Sequence, residues 1–142
     1  MTTHAAAPSH ATSPATIACA NRLTELCGAG KYHEAMVELY AEDARHVEAM
    51  EMPGSPYKRV MEGKGTLLKM SEQFGKVNTI HGATCGKPSF NGDQFICQMS
   101  LDMTCGDGPM AGQRMNMTEF CLYTVRDGKI TEARFFYGLC EK

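Results

Sequence analysis

The chain lacks the features that mark several classes of protein. None of its 142 residues belongs to an apolar run near the roughly 18 residues that cross a bilayer, and the N-terminus has no apolar core of a secretory signal. Basic charge is not in excess, since 14 Lys and Arg stand against 16 Asp and Glu, so no positive field would attract nucleic acid. We therefore expect a soluble, cytoplasmic protein that binds neither membranes nor nucleic acid.

Metal-binding and disulfide patterns are also missing. The seven cysteines are odd in number and include no CxxC pair, which favours reduced thiols over a disulfide framework. No His and carboxylate set has the spacing of helical metal ligands, so we expect no metal and no other cofactor. Trp is absent while Met numbers 11, which predicts a deformable apolar interior suited either to a ligand cavity or to an ordinary core.

What the sequence contains is a change of periodicity, from helical in the first half to alternating in the second. Residues 1–15 hold small residues and two prolines without periodicity, so we expect a disordered leader before a single domain over 16–142. Apolar residues then recur at helical spacing from Ile17 to Gly28, from Tyr32 to Tyr40 and from Leu67 to Gly75. A first strand, about Ala44 to Met50, precedes the third helix, and the Pro-rich stretch "MEMPGSPYKR" between them predicts a loop.

The second half predicts four antiparallel strands. They cover residues 78–90, 93–105, 114–126 and 129–137, and two of their joints carry the hairpin dipeptides "NG" and "DG". Helices followed by strands indicate an α+β fold with three N-terminal helices packed on one face of a curved, mostly antiparallel sheet.

Both faces of that sheet are predicted to be apolar. Strict alternation in the last strand puts Ile130 and Phe136 on one side, and Ala133, Phe135 and Tyr137 on the other. The helices cover only one face, so we predict a homodimer that pairs through the convex face.

Four stretches carry a family resemblance: "ELYAEDARHVEA", "RVMEGKGTLLKMSEQF", "FNGDQFICQMSLDMT" and "EFCLYTVRDGKITEARFFYG". In this order and spacing they resemble the SnoaL-like branch of the nuclear transport factor 2-like superfamily, which also contains the ketosteroid isomerases. The resemblance implies a cone-shaped barrel of helices and bent sheet around a deep apolar pocket, usually in a homodimer. It does not imply one reaction, so function depends on the residues in the pocket.

Glu48 is the candidate general base. In the ketosteroid isomerases the base is an Asp five residues after the Asp that ends the second helix, and here Glu48 lies five residues after Asp43. By alternation it shares a face with His46, and in an apolar cavity its pKa would rise into the range of a useful base. A one-residue bulge would instead turn Val47 inward and leave Glu48 in water or paired with an arginine.

A second acidic candidate is Glu119. The acidic donor of the ketosteroid isomerases corresponds to it roughly, one residue out of register, and it shares a face with Met117, Cys121 and Tyr123. The alternative is an ion pair with an arginine on the convex face. The tyrosine that holds the oxyanion in that family aligns with Leu23 here, so a steroid isomerase is disfavoured.

The remaining candidates complete a pocket. His81 lies where the mouth of the cone is expected and could assist Glu48, and Tyr137 is a candidate phenolic donor. The predicted ligand pocket consists of apolar and aromatic side chains: Tyr40, His46, Met70, Phe74, Phe95, Met99 and Phe135.

The sequence therefore predicts a small-molecule enzyme of isomerase, cyclase or lyase type that removes a proton next to a carbonyl in an apolar substrate. The alternative is a non-catalytic ligand-binding or dimerisation module with the same fold. An epoxide hydrolase would need an Asp, Arg, Asp relay, and the sequence offers no clear one.

Overall fold

Three helices and seven strands make up the part of the chain that the computed structural model describes, residues 11–51 and 54–138. The predicted α+β class, with helices preceding a mostly antiparallel curved sheet, is confirmed. In chain order the elements are α1 Pro14–Gly28, α2 Tyr32–Leu39, β1 Tyr40–Val47, β2 Val60–Glu62, α3 Lys64–Val77, β3 Thr79–Cys85, β4 Ser89–Asn91, β5 Gln94–Thr104, β6 Arg114–Arg126 and β7 Lys129–Tyr137.

The strands form one curved, unclosed sheet in the order β2-β1-β7-β6-β5-β3, with β4 paired to β5 outside this path. All neighbours are antiparallel except β1 and β7, which run parallel. The predicted "DG" hairpin joins β6 to β7, with Asp127 and Gly128 at φ values of 52° and 75°. Two consecutive positive φ values give the turn the twist that antiparallel strands need.

Several element boundaries differ from the predictions. β1 begins at Tyr40 directly after α2, and the short strand β2 lies between the predicted loop and α3. The predicted strand over 78–90 is divided into β3 and β4, with Pro88, which cannot donate to a ladder, between them. α3 continues past Gly75 to Val77. Tertiary pairing with β1 stabilises a strand as short as β2, and local sequence does not reveal it.

The first helix begins at Pro14 rather than at Ile17. Ser13 caps it, since its hydroxyl oxygen accepts from the backbone N–H of Thr16 at 3.1 Å, and proline suits the first helical position because it needs no donor there. Most of the predicted leader, residues 1–10, lies outside the described residues.

The core lies between the helices and the concave face of the sheet, where Leu23, Leu67 and Phe95 are almost fully buried. Phe136 is on the outer face, 45% exposed. The prediction that Ile130 and Ala133 lie on opposite sides is wrong, since both are fully buried. A bulge is the reason: Thr124 pairs with Glu132 and Val125 with Ile130, so one extra residue of β7 resets the alternation.

Within the described residues, no helix is long and apolar enough to cross a membrane.

Candidate active site

A small cavity of about 70 Å³ lies between the first two helices and the concave face of the sheet. Apolar and aromatic side chains form most of its wall, with one carboxyl and one imidazole among them. The lining residues are Leu23, Cys27, Tyr32, Ala35, Met36, Tyr40, His46, Met99, Glu119, Tyr123 and Phe135. Four of the predicted pocket residues are in this set: Tyr40, His46, Met99 and Phe135.

Glu48 follows the last residue of β1 and is partly buried. Its backbone N–H donates to the carbonyl of Arg59 at 2.8 Å, which fixes the chain where β1 and β2 separate. Its carboxylate accepts a hydrogen bond from the Tyr137 hydroxyl on β7. Burial raises the pKa of Glu48, and the bond from Tyr137 opposes that rise. The carboxylate is therefore held by a phenol rather than by an arginine, although Val47 is buried as the alternative required.

Glu119 lies on β6 directly opposite Tyr137 of β7 and Met99 of β5. Its side chain faces the cavity, so the alternative of an ion pair on the convex face is not what the structure shows. Burial and the nearby charge of Glu48 raise the pKa of Glu119 to about 7, and the Cys121 thiol, 3.7 Å from Oε1, opposes this slightly.

Glu48 and Glu119 together form a carboxyl pair whose members ionise in sequence. Glu48 is stabilised as the anion by Tyr137, and its charge then favours the neutral form of Glu119. Near neutral pH one member is able to accept a proton while the other donates a hydrogen bond. Two carboxyls with divided roles of this kind can perform base catalysis and stabilise a developing negative charge at once.

Tyr40 and His46 form a second polar unit in the cavity wall. The Tyr40 hydroxyl and His46 Nε2 are 2.7 Å apart, and the two residues are only 4% and 2% exposed. The ring of Phe135 meets the imidazole edge-on, with centroids 5.0 Å apart. Burial lowers the pKa of His46 to about 4, so this imidazole is neutral at physiological pH.

Four further predicted site residues lie elsewhere, and Glu48 and Tyr137 are not among the lining residues of the cavity either. His81 is exposed on the edge strand β3, where its Nε2 lies 2.7 Å from the Thr104 hydroxyl, so it does not line the cavity or assist Glu48. Phe95 is buried in the core, stacked on Tyr123 at 4.9 Å between centroids. Met70 packs against the core from α3, and Phe74 lies on the same helix; neither reaches the cavity. Periodicity predicts on which face of a strand or helix a residue lies, but not whether that part of the face borders the cavity. For this reason the sequence did not separate these positions from the true lining residues.

Six cavity residues were not among the predicted site residues: Leu23, Cys27, Tyr32, Ala35, Met36 and Tyr123. Tyr32 is the most important of them, because its phenol lies at the cavity. Leu23, which also lines the cavity, has no hydroxyl to donate. Burial raises the pKa of Tyr32, and the charge of Glu119 adds to the effect. The only sequence signal for Tyr32 was that it belongs to the apolar face of α2. An ordinary core residue on that face would give the same signal.

A larger groove of about 440 Å³ lies on the outside, between α1 and the turn before β4. Glu25 and Lys87 border it, and it is open to solvent. Its lining has no carboxyl with a raised pKa comparable to that of Glu119, so the small inner cavity is the better candidate site. Among the described residues no group of three or more His, Cys, Asp or Glu is arranged to hold a metal ion.

Replacing Tyr137 with phenylalanine should raise the pKa of Glu48 further, because the bond that stabilises its anion is lost. A ¹³C NMR titration of the glutamate side chains would measure this. Tyr57→Phe, in the loop before β2, is the matched control and should leave the Glu48 titration unchanged. An unaltered Glu48 pKa in Tyr137→Phe would show that the phenol does not hold the carboxylate.

Comparison with known proteins agrees with this architecture. The model of the SnoaL-like domain matches residues 15–137. A protein of known structure from Mesorhizobium loti, named a candidate SnoaL-like polyketide cyclase, is 37% identical, with a TM-score of 0.75 over 84% of this chain and 97% of that one. None of the curated proteins matches the sequence.

Two more distant structures share the fold. A candidate isomerase from Bacillus subtilis is 17% identical, with a TM-score of 0.67 over 87% of this chain and 86% of that one. An epoxide hydrolase from M. tuberculosis is 11% identical, with a TM-score of 0.61 over 87% and 83% of the two chains. At these identities the likeness concerns the fold alone. With the family model covering nearly the whole described domain, the chain belongs to the SnoaL-like family.

Proposed function

We propose that this protein is an isomerase, cyclase or lyase that removes a proton from carbon next to a carbonyl group in a small apolar substrate. The observation that carries the proposal is a pair of partly buried carboxyls, of which Glu119 lines the apolar cavity and has its pKa raised to about 7 by burial and by the charge of Glu48. A SnoaL-like relative named a candidate polyketide cyclase supports the same type of chemistry.

The steps follow from the ionisation of the pair. The Glu48 carboxylate takes the proton from the substrate carbon, and the electron pair left behind moves onto the carbonyl oxygen. The neutral Glu119 carboxyl donates a hydrogen bond to that oxygen, which stabilises the enolate in a dry site. Tyr32 is the second donor that we assign to the oxyanion, since it supplies the phenol that position 23 lacks. The enolate then takes that proton back from the Glu48 carboxyl at another carbon, or it attacks a second carbonyl carbon, whose oxygen takes the proton from Glu48.

The volume of the cavity means either that the substrate is small or that the side chains of the cavity wall move when it binds. At about 70 Å³ it is less than half of the ~150 Å³ that an engineered cavity needs to hold benzene. Met36 and Met99 are the adjustable part of its wall, because unbranched thioether chains repack more easily than branched or aromatic ones. We therefore favour small cyclic ketones as first probes.

The test is hydrogen exchange at the substrate carbon, which needs no knowledge of the final product. Small ketones such as cyclopentanone are incubated with the protein in D₂O, and the loss of α-hydrogen signal is followed by ¹H NMR. Protein-dependent exchange supports the proposal. If the ketones shift the cavity's NMR signals but exchange no faster than in buffer, the protein is a ligand-binding module instead.

We also propose that two copies pair through the convex face of the sheet. Its outer surface exposes Ile96, Phe120 and Phe136, and the last two are cross-strand neighbours with exposed fractions of 49% and 45%. Exposed aromatic clusters of this kind are typical of interfaces.

Replacing Phe120 with glutamate should convert a dimer into a monomer, because a charge would be buried at the centre of the interface. Light scattering after size exclusion measures this. Val37→Glu, at an exposed apolar position on α2, is the control and should leave the mass unchanged. A wild-type protein that is already a monomer would contradict the proposal.

The described cysteines are all free, including Cys85 and Cys97, whose sulfur atoms are 3.8 Å apart. The odd number of cysteines and the lack of a CxxC pair support our proposal that the protein works in the reducing cytoplasm.

A further inference from the structure

Two cysteines meet where the core borders the outer groove. Cys85 is the last residue of β3 and Cys97 lies on the neighbouring strand β5, with their sulfur atoms 3.8 Å apart. In the register of these strands Cys85 stands opposite Met99, so Cys97 is its diagonal neighbour. Diagonal neighbours on one face of a sheet lie within reach of each other. The fold thus brings two thiols into contact that are 12 residues apart in sequence.

The two thiols differ in their access to solvent. Cys97 is only 3% exposed and belongs to the core. Cys85 is half-buried and lines the open groove of about 440 Å³, whose other wall is α1. The groove is therefore on the helix-facing side of the sheet, the same side on which the Cys85 sulfur contacts that of Cys97. A reagent in the groove meets Cys85 first.

The proton is shared unequally by the pair. A thiolate is stabilised by water and by a neighbouring S–H that donates to it. The hydrogen bond from the Cys97 thiol lowers the pKa of Cys85, and burial opposes this effect. The same bond, together with burial, raises the pKa of Cys97. The groove adds little net field, since both Lys87 and Glu25 border it. Negative charge is therefore favoured on the sulfur at the groove.

We propose that Cys85 and Cys97 form a redox-sensitive pair, in which Cys85 reacts with a small hydroperoxide at the groove and Cys97 then closes a reversible disulfide with it. The inference goes beyond the proposed function and does not depend on it. In a reducing compartment such a bridge is transient, and an accessible, acidic thiol beside a second thiol is the usual arrangement of a redox sensor.

Two successive displacements form the bridge. The Cys85 thiolate attacks a peroxide oxygen, so that an S–O bond forms, the O–O bond breaks and the leaving alkoxide takes a proton from solvent. Cys85 is thereby oxidised by two electrons to a sulfenic acid, and the peroxide is reduced to an alcohol. The Cys97 sulfur then attacks the Cys85 sulfur, and hydroxide leaves with the Cys97 proton as water. For this bond the sulfur atoms move from 3.8 Å to about 2.05 Å apart.

Peptide mapping of the native protein tests the proposal. The reduced full-length chain is treated with an equimolar amount of hydrogen peroxide and alkylated before it is denatured. Chymotrypsin then cuts after Phe90 and Phe95, which separates the two cysteines. We expect linked Cys85 and Cys97 peptides that dithiothreitol separates. An unoxidised Cys85, a Cys85 oxidised further without a bridge, or a bridge from Cys85 to another cysteine would overturn the proposal.

Variants separate the roles of the two thiols. In Cys97→Ala the sulfenic acid of Cys85 should accumulate and be captured by dimedone, whereas in Cys85→Ser the buried Cys97 should remain a thiol. Cys105→Ser is the control, because Cys105 is also buried but its sulfur contacts Met115 at 3.4 Å, and the bridge should form as in the wild type. Consumption of peroxide by Cys85→Ser at the wild-type rate would place the reactive thiol elsewhere and contradict the proposal.

The rate of alkylation measures the access and acidity of Cys85 without any oxidant. With limiting iodoacetamide at neutral pH, Cys85 should react roughly tenfold faster than Cys19, whose pKa burial raises to about 11. The rate at Cys85 should fall in Cys97→Ala, which lacks the donating S–H. Equal rates at Cys85 and Cys19 in the wild type would overturn the proposal even if neither variant folded.

Discussion

Replacing Glu48 with glutamine is expected to slow α-hydrogen exchange by roughly 10²- to 10⁴-fold, the usual contribution of a positioned general base. Glutamine has nearly the same shape, and its amide oxygen still accepts from the Tyr137 hydroxyl, but it takes up no proton. The measurement is the exchange rate of the best ketone in D₂O by ¹H NMR. Glu42→Gln, at an exposed position of β1, is the control and should exchange at the wild-type rate.

The pH profile adds a second readout to that experiment. Exchange needs Glu48 ionised and Glu119 protonated, so the wild-type rate should fall as pH rises through about 7, the pKa of Glu119. In Glu119→Gln, which stays neutral, that fall should vanish. Exchange by Glu48→Gln at the wild-type rate would show that the base lies elsewhere.

Replacing Glu119 with glutamine should stabilise the protein at alkaline pH. Burial and the charge of Glu48 raise the Glu119 pKa from an ordinary value of 4.5 to about 7. Between these values the folded state keeps a proton that the unfolded state has released. The wild-type free energy of unfolding should therefore fall as pH rises from 4.5 to about 7 and then level off, by roughly 3 kcal/mol for this residue.

Glu119→Gln removes this dependence, so its advantage over the wild type should grow by that roughly 3 kcal/mol between pH 4.5 and pH 8. Urea unfolding at several pH values measures the difference. Glu42→Gln should track the wild type, because its carboxyl is exposed. Parallel curves for Glu119→Gln and wild type would mean that Glu119 ionises as it does in water. The expected result would show that a group useful for binding an oxyanion lowers the stability of the fold.

Much of the fold was predictable because its signals are local. The alternation of β5, β6 and β7 and the "DG" turn at Asp127 and Gly128 predicted the central antiparallel sheet within a residue or two. The helices α1 and α2 were predicted equally clearly, because a helix that packs on one face needs only apolar residues at helical spacing, and this spacing is visible in the sequence. The resemblance to a family then indicated Glu48 and Glu119, and the structure brings these two side chains together with Tyr137, a candidate phenolic donor.

Local pattern did not decide which side chains meet. Glu48 and Tyr137 are far apart in sequence and touch because β1 runs parallel to β7, a pairing with no local signal. The bulge at Thr124 turned Ile130 inward against simple alternation, and β2 formed only because β1 offered a partner. His81 and Phe95 are residue types that are common in binding sites. His81, however, lies on an exposed edge strand, and Phe95 is packed in the core.

The sequence by itself determined the class of fold, the order of its elements and the presence of acidic groups on strands that are otherwise largely apolar. Only the tertiary structure decided that two of those acids are partly buried close enough for the charge of one to act on the other, and that the His46 imidazole is left with an unpaired nitrogen. The physical reason is that periodicity depends on neighbours along the chain. Desolvation, the field of another charge and an unfilled hydrogen bond depend on neighbours in space.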